Sequence, residues 1–145
     1  MIVIDTSVFV DSLFEKNKER YEIANKFLAK IRGLTVYVPR VFLIELLSVA
    51  RRLGMDLTKE EVIDLTSDFE VIPEDSIFEI ALEITEKVHP RAIDSYFIAT
   101  AKLTDSILIS NDRKMVNNSR AFKIESYYLI EEIDKVLNKI ESLRR

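Results

Sequence analysis

Residues 1–10 read MIVIDTSVFV, and the passage from Ile2 to Ser7 within them decides the fold. An unbroken apolar run, Ile2-Val3-Ile4, leads straight into a carboxylate and two hydroxyls. A short β-branched run without alternation is the signature of a strand buried on both faces, as in the interior of a parallel sheet. The pattern returns at residues 106–112, SILISND, where Ile107-Leu108-Ile109 leads into Ser110, Asn111 and Asp112. Two strand-like segments about a hundred residues apart thus each deliver an aspartate at the carboxyl end. One such ending is ordinary capping; two ask for a common cause.

Between and around them, strands and helices alternate. The charged stretch EKNKER (15–20) breaks a first helical region, and YEIANKFLAKIRG (21–33) forms a helix that Gly33 stops. TVYV (35–38) is a second strand, closed by Pro39. VFLIELLSVARRLG (41–54) has helical periodicity and a terminal glycine, and Thr58 and Glu61 have the spacing of a capping box before KEEVIDLTSDF. FEVI (69–72), ending at Pro73, is a third strand, and Asp75 or Ser76 is expected to cap the helix IFEIALEITEKV (77–88). AIDSYFIATAKL (92–103) is another helix, SILIS a fourth strand, and AFKIE (121–125) a fifth, before the amphipathic helical tail from Tyr127. This order predicts a single helix-rich α/β domain over 1–145, a small parallel sheet of four or five strands with helices on both faces. In such folds a ligand site lies beyond the carboxyl ends of the strands, where Asp5 and Asp112 emerge.

Composition narrows the class. Two glycines and three prolines leave little material for the turns of a β-sandwich or barrel. The absence of cysteine excludes disulfides and thiolate zinc sites. Apolar runs are too short to span a bilayer and no secretory leader pattern is present, so a soluble cytoplasmic protein without membrane contact is expected. Missing glutamine and cysteine beside 32% charged residues lean toward a thermophilic source. The net charge of −4 is uneven: residues 54–88 carry two lysines against eleven acids, while the rest carries 19 basic and 14 acidic residues. No general basic face of the nucleic-acid-binding kind is evident.

Four acids invite a joint reading. Asp5 and Asp112 each have an ordinary explanation as helix caps or turn residues. Glu45 has Val41, Phe42, Ser48 and Val49 as its helical neighbours, so it faces an apolar stripe; a buried ion pair with Arg51, Arg52 or a distant base would explain it equally. Asp94 falls at the start of its helix, where the dipole alone favours an anion. In the predicted fold, however, the two strand ends and two inward helix faces converge. Like charges at about 4 Å and an effective dielectric of about 20 repel by on the order of 4 kcal/mol per pair, more than capping returns. Divalent cations offset such repulsion, and Mg²⁺ or Mn²⁺ suits an oxygen-only ligand set. The acids therefore point to a metal site.

The same residues resemble the PIN domain, and in particular the VapC-type toxins of toxin–antitoxin pairs. The resemblance rests on the first strand ending in D-T-S (Asp5), the mid-helix acid of FLIELLSVA (Glu45), the pattern D-x-x-x-I-A-x-A in DSYFIATA (Asp94), and the S-x-D ending of ILISND (Asp112). It implies a metal-dependent endoribonuclease in which Asp5, Glu45, Asp94 and Asp112 bind Mg²⁺ or Mn²⁺, Asp112 with the option of acting through water. Thr6 or Ser7, Ser110 and Asn111 would orient those ligands. It also implies an RNA substrate, a homodimer and a small DNA-binding antitoxin. Arg51, Arg52, Arg113, Lys114, Arg120 and Lys123 adjoin the acid-bearing segments and are candidates for phosphate contacts. The one histidine, His89, lies outside every motif and makes neither a metal triad nor a paired acid–base system.

Several alternatives share parts of the pattern. IVIDTSV mimics an aspartic-protease loop, but that architecture is β-rich and needs glycines. A receiver domain would want an acidic pair after the first strand, and a haloacid-dehalogenase-type phosphatase a second aspartate where Ser7 stands. Two rivals stay open: a non-catalytic binding or scaffold module whose acids are structural, and a processing nuclease for RNA or DNA with no antitoxin.

Overall fold

A computed structural model describes residues 1–14 and 16–145. Five strands, β1 (Ile2–Ile4), β2 (Val36–Pro39), β3 (Glu70–Ile72), β4 (Ile107–Ser110) and β5 (Ser126–Tyr128), form one parallel sheet in the order β3-β2-β1-β4-β5. Eight helices connect and flank them among the described residues: α1 (Thr6–Leu13), α2 (Lys18–Lys30), α3 (Val41–Arg52), α4 (Lys59–Leu65), α5 (Phe78–Val88), α6 (Ala92–Thr104), α7 (Arg113–Ala121) and α8 (Leu129–Leu143). The doubly covered parallel sheet expected from the sequence is the one observed.

The unbroken runs are the sheet's interior. Every residue of β1 and β4 is buried, and the two strands pair in the register Ile2↔Ile107, Val3↔Leu108, Ile4↔Ile109. Helix α6 crosses β2, β1 and β4 with α5 beside it, while α1, α2 and α8 pack together in another layer. An aromatic chain joins the acid-bearing elements: Phe9 of α1 lies 5.0 Å from Phe42 of α3, and Phe42 lies 6.3 Å edge-on from Phe97 of α6. Because residues three apart share a helix face, Phe42 anchors the turn that carries Glu45, and Phe97 the turn that carries Asp94.

Several boundaries differ from expectation. Helix α2 starts inside the charged break, at Lys18, because the Asn17 side chain accepts from the Arg20 amide. Glu15, which heads that break, lies outside the described residues. Neither Asp75 nor Ser76 caps α5; both sit in a 3₁₀ turn, and fully buried Ile77 occupies the cap position, so core packing sets the helix entry. AFKIE is not the fifth strand. Ala121 ends α7, Lys123 turns the chain in a left-handed conformation, and the strand begins at Ser126. The Thr58–Glu61 capping box forms as read, and Gly33 and Gly54 both take positive φ at their helix ends.

Candidate metal centre

The sheet order reverses beside β1, whose neighbours β2 and β4 lie on either side of it, and the carboxyl ends of β1 and β4 open a crevice there. Register sets its floor. The Asp5 amide donates to the Ile109 carbonyl at 3.0 Å, which places Asp5 against Ser110. Asp5 occupies the cap position of α1, yet its side chain makes no capping bond. Instead its Oδ2 accepts from Ser7 Oγ at 2.8 Å and from Ser110 Oγ at 2.7 Å. Each of these hydroxyls is itself oriented by an amide: Asn111 donates to Ser7 Oγ at 2.9 Å and Asp112 to Ser110 Oγ at 2.8 Å. The D-T-S and S-N-D segments thus interlock.

Glu45, Asp94 and Asp112 join Asp5 along one cleft of about 250 Å³. Glu45 stands half-buried beside the α3 stripe of Phe42, Leu46 and Ala50, and its Oε1 accepts from Thr6 Oγ1 at 2.5 Å. It forms no ion pair with Arg51 or Arg52. Asp94, 6% exposed, lies in the first turn of α6. Asp112 does cap α7, with Oδ1 accepting from the amides of Lys114 and Met115. Its ordinary structural reading is therefore correct as far as it goes, and its Oδ2 still faces the cleft group.

Two bases and a fifth acid, none of them singled out from the sequence, complete the surroundings. Asp11 of α1 lines the cleft but is compensated: Arg20 Nε donates to both its oxygens, at 3.2 and 3.1 Å, and Asn111 Nδ2 donates to it at 2.8 Å. Arg91, the residue before α6, donates from Nε to Asp94 Oδ2 at 3.2 Å and from a terminal nitrogen to Asp112 Oδ2 at 2.5 Å. The only available signals were the i, i+3 spacing of Arg91 to Asp94 and the i, i+4 spacing of Ser7 to Asp11. Both are too common to single out.

The acids are electrostatically unsatisfied. Burial pushes the Asp5 carboxyl up to about 6, against the lowering effect of its two serine donors, with repulsion from Asp94 and Asp112 adding to the rise. Burial also raises Glu45 and Asp94, opposed in Glu45 by the Thr6 hydroxyl and in Asp94 by Arg91. Asp5, Glu45 and Asp94 each keep one carboxylate oxygen that receives no hydrogen bond from the described residues. That donor set is all oxygen, anionic and short of counter-charge, which is the chemistry a hard divalent cation requires. Among the described residues no three acids are drawn closely enough to enclose an ion as they stand. The residues fit such an ion by donor type and by sharing one cleft, though not yet by enclosing distance.

The candidate phosphate contacts scatter. Arg51 pairs with Asp56, Arg113 with Glu131 while its guanidinium stacks over Tyr128, and Arg120 with Glu132 and the Ser126 carbonyl. Lys123 lies with Met1 and Ile107 at the amino ends of the strands, at the opposite end of the sheet from the cleft. Arg52 and Lys114 are exposed, on helices that carry or follow cleft acids.

A model of the PIN domain matches residues 2–121. The chain belongs to the PIN domain family. PIN domains are generally nucleases that use divalent metal ions. No curated protein sequence gives a significant match. Among solved structures, this PIN domain resembles the FitAcB crystal structure from Neisseria gonorrhoeae, with TM-score 0.65 and 19% identity over 88% of this chain and 96% of that one. It also resembles a chain in a toxin–antitoxin complex from Klebsiella pneumoniae (TM-score 0.59, 18% identity, 77% and 87% covered). A third likeness is to the PAE2754 structure from Pyrobaculum aerophilum (0.58, 15%, 97% and 95%). At these identities the likeness is one of fold.

Proposed function

We propose that this PIN domain is a divalent-metal-dependent endoribonuclease and the toxin of a toxin–antitoxin pair. The observation that carries the reading is the convergence of Asp5, Glu45, Asp94 and Asp112, from four separate elements, on one cleft in which Arg91 is the only lining base among the described residues, Asp11 being paired with Arg20. Asp5, Glu45, Asp94 and Asp112 would together hold Mg²⁺ or Mn²⁺, Asp112 with the option of acting through water because one of its oxygens caps α7. A bound divalent cation supplies Lewis-acid activation of water and offsets charge at the phosphate. Ser7, Ser110 and Asn111 fix Asp5 in place, and Thr6 fixes Glu45. Arg52 and Lys114 are the remaining exposed cations for the RNA backbone.

Cleavage of a single-stranded RNA pool in Mn²⁺, abolished by EDTA and by Glu45→Gln, is the expected result; cleavage that persists in excess EDTA would remove the reading. The fold shared with the Klebsiella toxin–antitoxin component supports an antitoxin partner, tested by whether a small reading frame flanks the coding sequence and whether its product co-purifies with this chain. A homodimer goes with this function, and Phe78 and Leu82 of α5, 47% and 51% exposed, offer it an apolar surface. One observation favours a non-catalytic module instead: Arg91 already neutralises two of the acids. A flat Mn²⁺ titration would decide for that alternative.

A further inference from the structure

Arg91 is the only basic residue lining the cleft among those described, and its placement is unusual for a structural ion pair. Its backbone is extended (φ −61°, ψ 149°), so the side chain leaves α6 before the helix begins. The side chain is 69% exposed, while the Asp94 and Asp112 side chains it bridges are 8% and 28% exposed. The guanidinium therefore sits over the cleft mouth, with the acids beneath it. It is not needed to cap α7, since Asp112 does that through its other oxygen. Only the guanidinium end of the pair is solvated, and that solvation screens its attraction to the acids beneath.

The oxygens that Arg91 holds, Asp94 Oδ2 and Asp112 Oδ2, belong to the set a divalent cation would draw on. A guanidinium and a dication cannot both neutralise them at close range. We infer that Arg91 is a resident counter-ion of the cleft that competes with the metal, gives way when the metal enters, and then uses its freed guanidinium at the cleft mouth to hold a phosphate of the RNA. The inference rests on the nuclease reading above. The flexible, solvated arm permits the exchange, and the planar fork that bridges two carboxylates suits a phosphate equally well. Apparent metal affinity is reduced by the fraction of molecules in which the arm is docked.

The test compares the parent with Arg91→Gln and Arg91→Lys by Mn²⁺ calorimetry without RNA, and by binding of a single-stranded RNA in Ca²⁺. Arg91→Gln should bind Mn²⁺ about three- to tenfold tighter, as expected when a weakly docked competitor is removed. It should also bind RNA in Ca²⁺ several-fold more weakly. Arg91→Lys, which keeps the charge but loses the fork, should fall between, and it carries the test if the glutamine variant fails to fold. Equal or weaker Mn²⁺ affinity in both variants overturns the inference and leaves the nuclease reading standing, as does unchanged RNA binding. Mn²⁺ taken up by neither parent nor variants overturns both.

Discussion

Asp5 is where local chemistry and global stability meet most directly. Its carboxyl ionises near 3.8 in an open chain but holds its proton to about 6 in the fold, because burial penalises the anion more than two serine hydroxyls stabilise it. Between those pH values the folded state carries the extra proton, so the metal-free protein loses stability as pH rises through the window and is weakest above it. Asp5→Asn removes the ionisation while leaving an oxygen for Ser7 and Ser110. The metal-free variant should be more stable than the parent at pH 7.5, by on the order of 2–3 kcal/mol, and the two should converge near pH 4. Urea unfolding in EDTA at both pH values measures this; a less stable variant at pH 7.5 would mean that the ionised carboxylate is better solvated than its burial indicates. At this scale Glu45 was legible because it faces an apolar stripe. Asp5, Asp94 and Asp112 each had an ordinary capping or dipole explanation and drew attention only jointly, through the convergence that the predicted fold implies. Arg91, Arg20 and Asp11 were not legible, since an exposed charge shows nothing unusual until its tertiary partner is known.

Elements explain how a residue can serve structure and site at once. Asp112 caps α7 through Oδ1, so substitutions there should separate the two roles. Asp112→Asn keeps a capping oxygen and should fold with nearly parental stability, whereas Asp112→Ala should lose about 1 kcal/mol of helix capping. Both should lose cleavage. Thermal melts beside RNA cleavage assays read the difference, and an asparagine variant that keeps full activity would leave Asp112 only its cap. Below the acids, Phe42 touches Phe9 and Phe97 and so ties α1, α3 and α6 together. Phe42→Ala should cost about 3–5 kcal/mol, the usual penalty for emptying a fully buried aromatic site. In chains that still fold it should weaken Mn²⁺ binding, although the side chain never meets the ion. Unaltered Mn²⁺ affinity in the folded fraction would show that the acids are placed independently of this packing. Strands β1 and β4 were legible because sheet interiors demand unbroken apolar runs. Helix α7 was not, since RKMVNNSRA buries only Met115, Val116 and Ser119 and owes its existence to the Asp112 cap and to packing on β4 and β5.

Taken as one body, the molecule stores electrostatic cost at the switch point of its sheet, and that cost is what a cation would release. Sheet order could be inferred only as a class from the sequence; the pairing of β1 with β4, which sets Asp5 beside Ser110, is a long-range choice that no local pattern encodes. Its consequence is global, because a ligand that binds only the folded state stabilises the whole chain. Mn²⁺ at about a hundred times its dissociation constant should add about 2.7 kcal/mol, which for a domain of this size is a rise in Tm of about 5–10 °C. The ion must displace protons from carboxyls whose affinity for them burial has raised, so the gain should be large at pH 7.5 and shrink toward pH 5. Stability should accordingly fall with rising pH in EDTA, while the further stabilisation by Mn²⁺ grows over the same range. Melting curves at several pH values, with and without Mn²⁺, display that opposition. A Tm indifferent to Mn²⁺ across the whole range would mean that the clustered acids are held apart by the fold and by Arg91 alone.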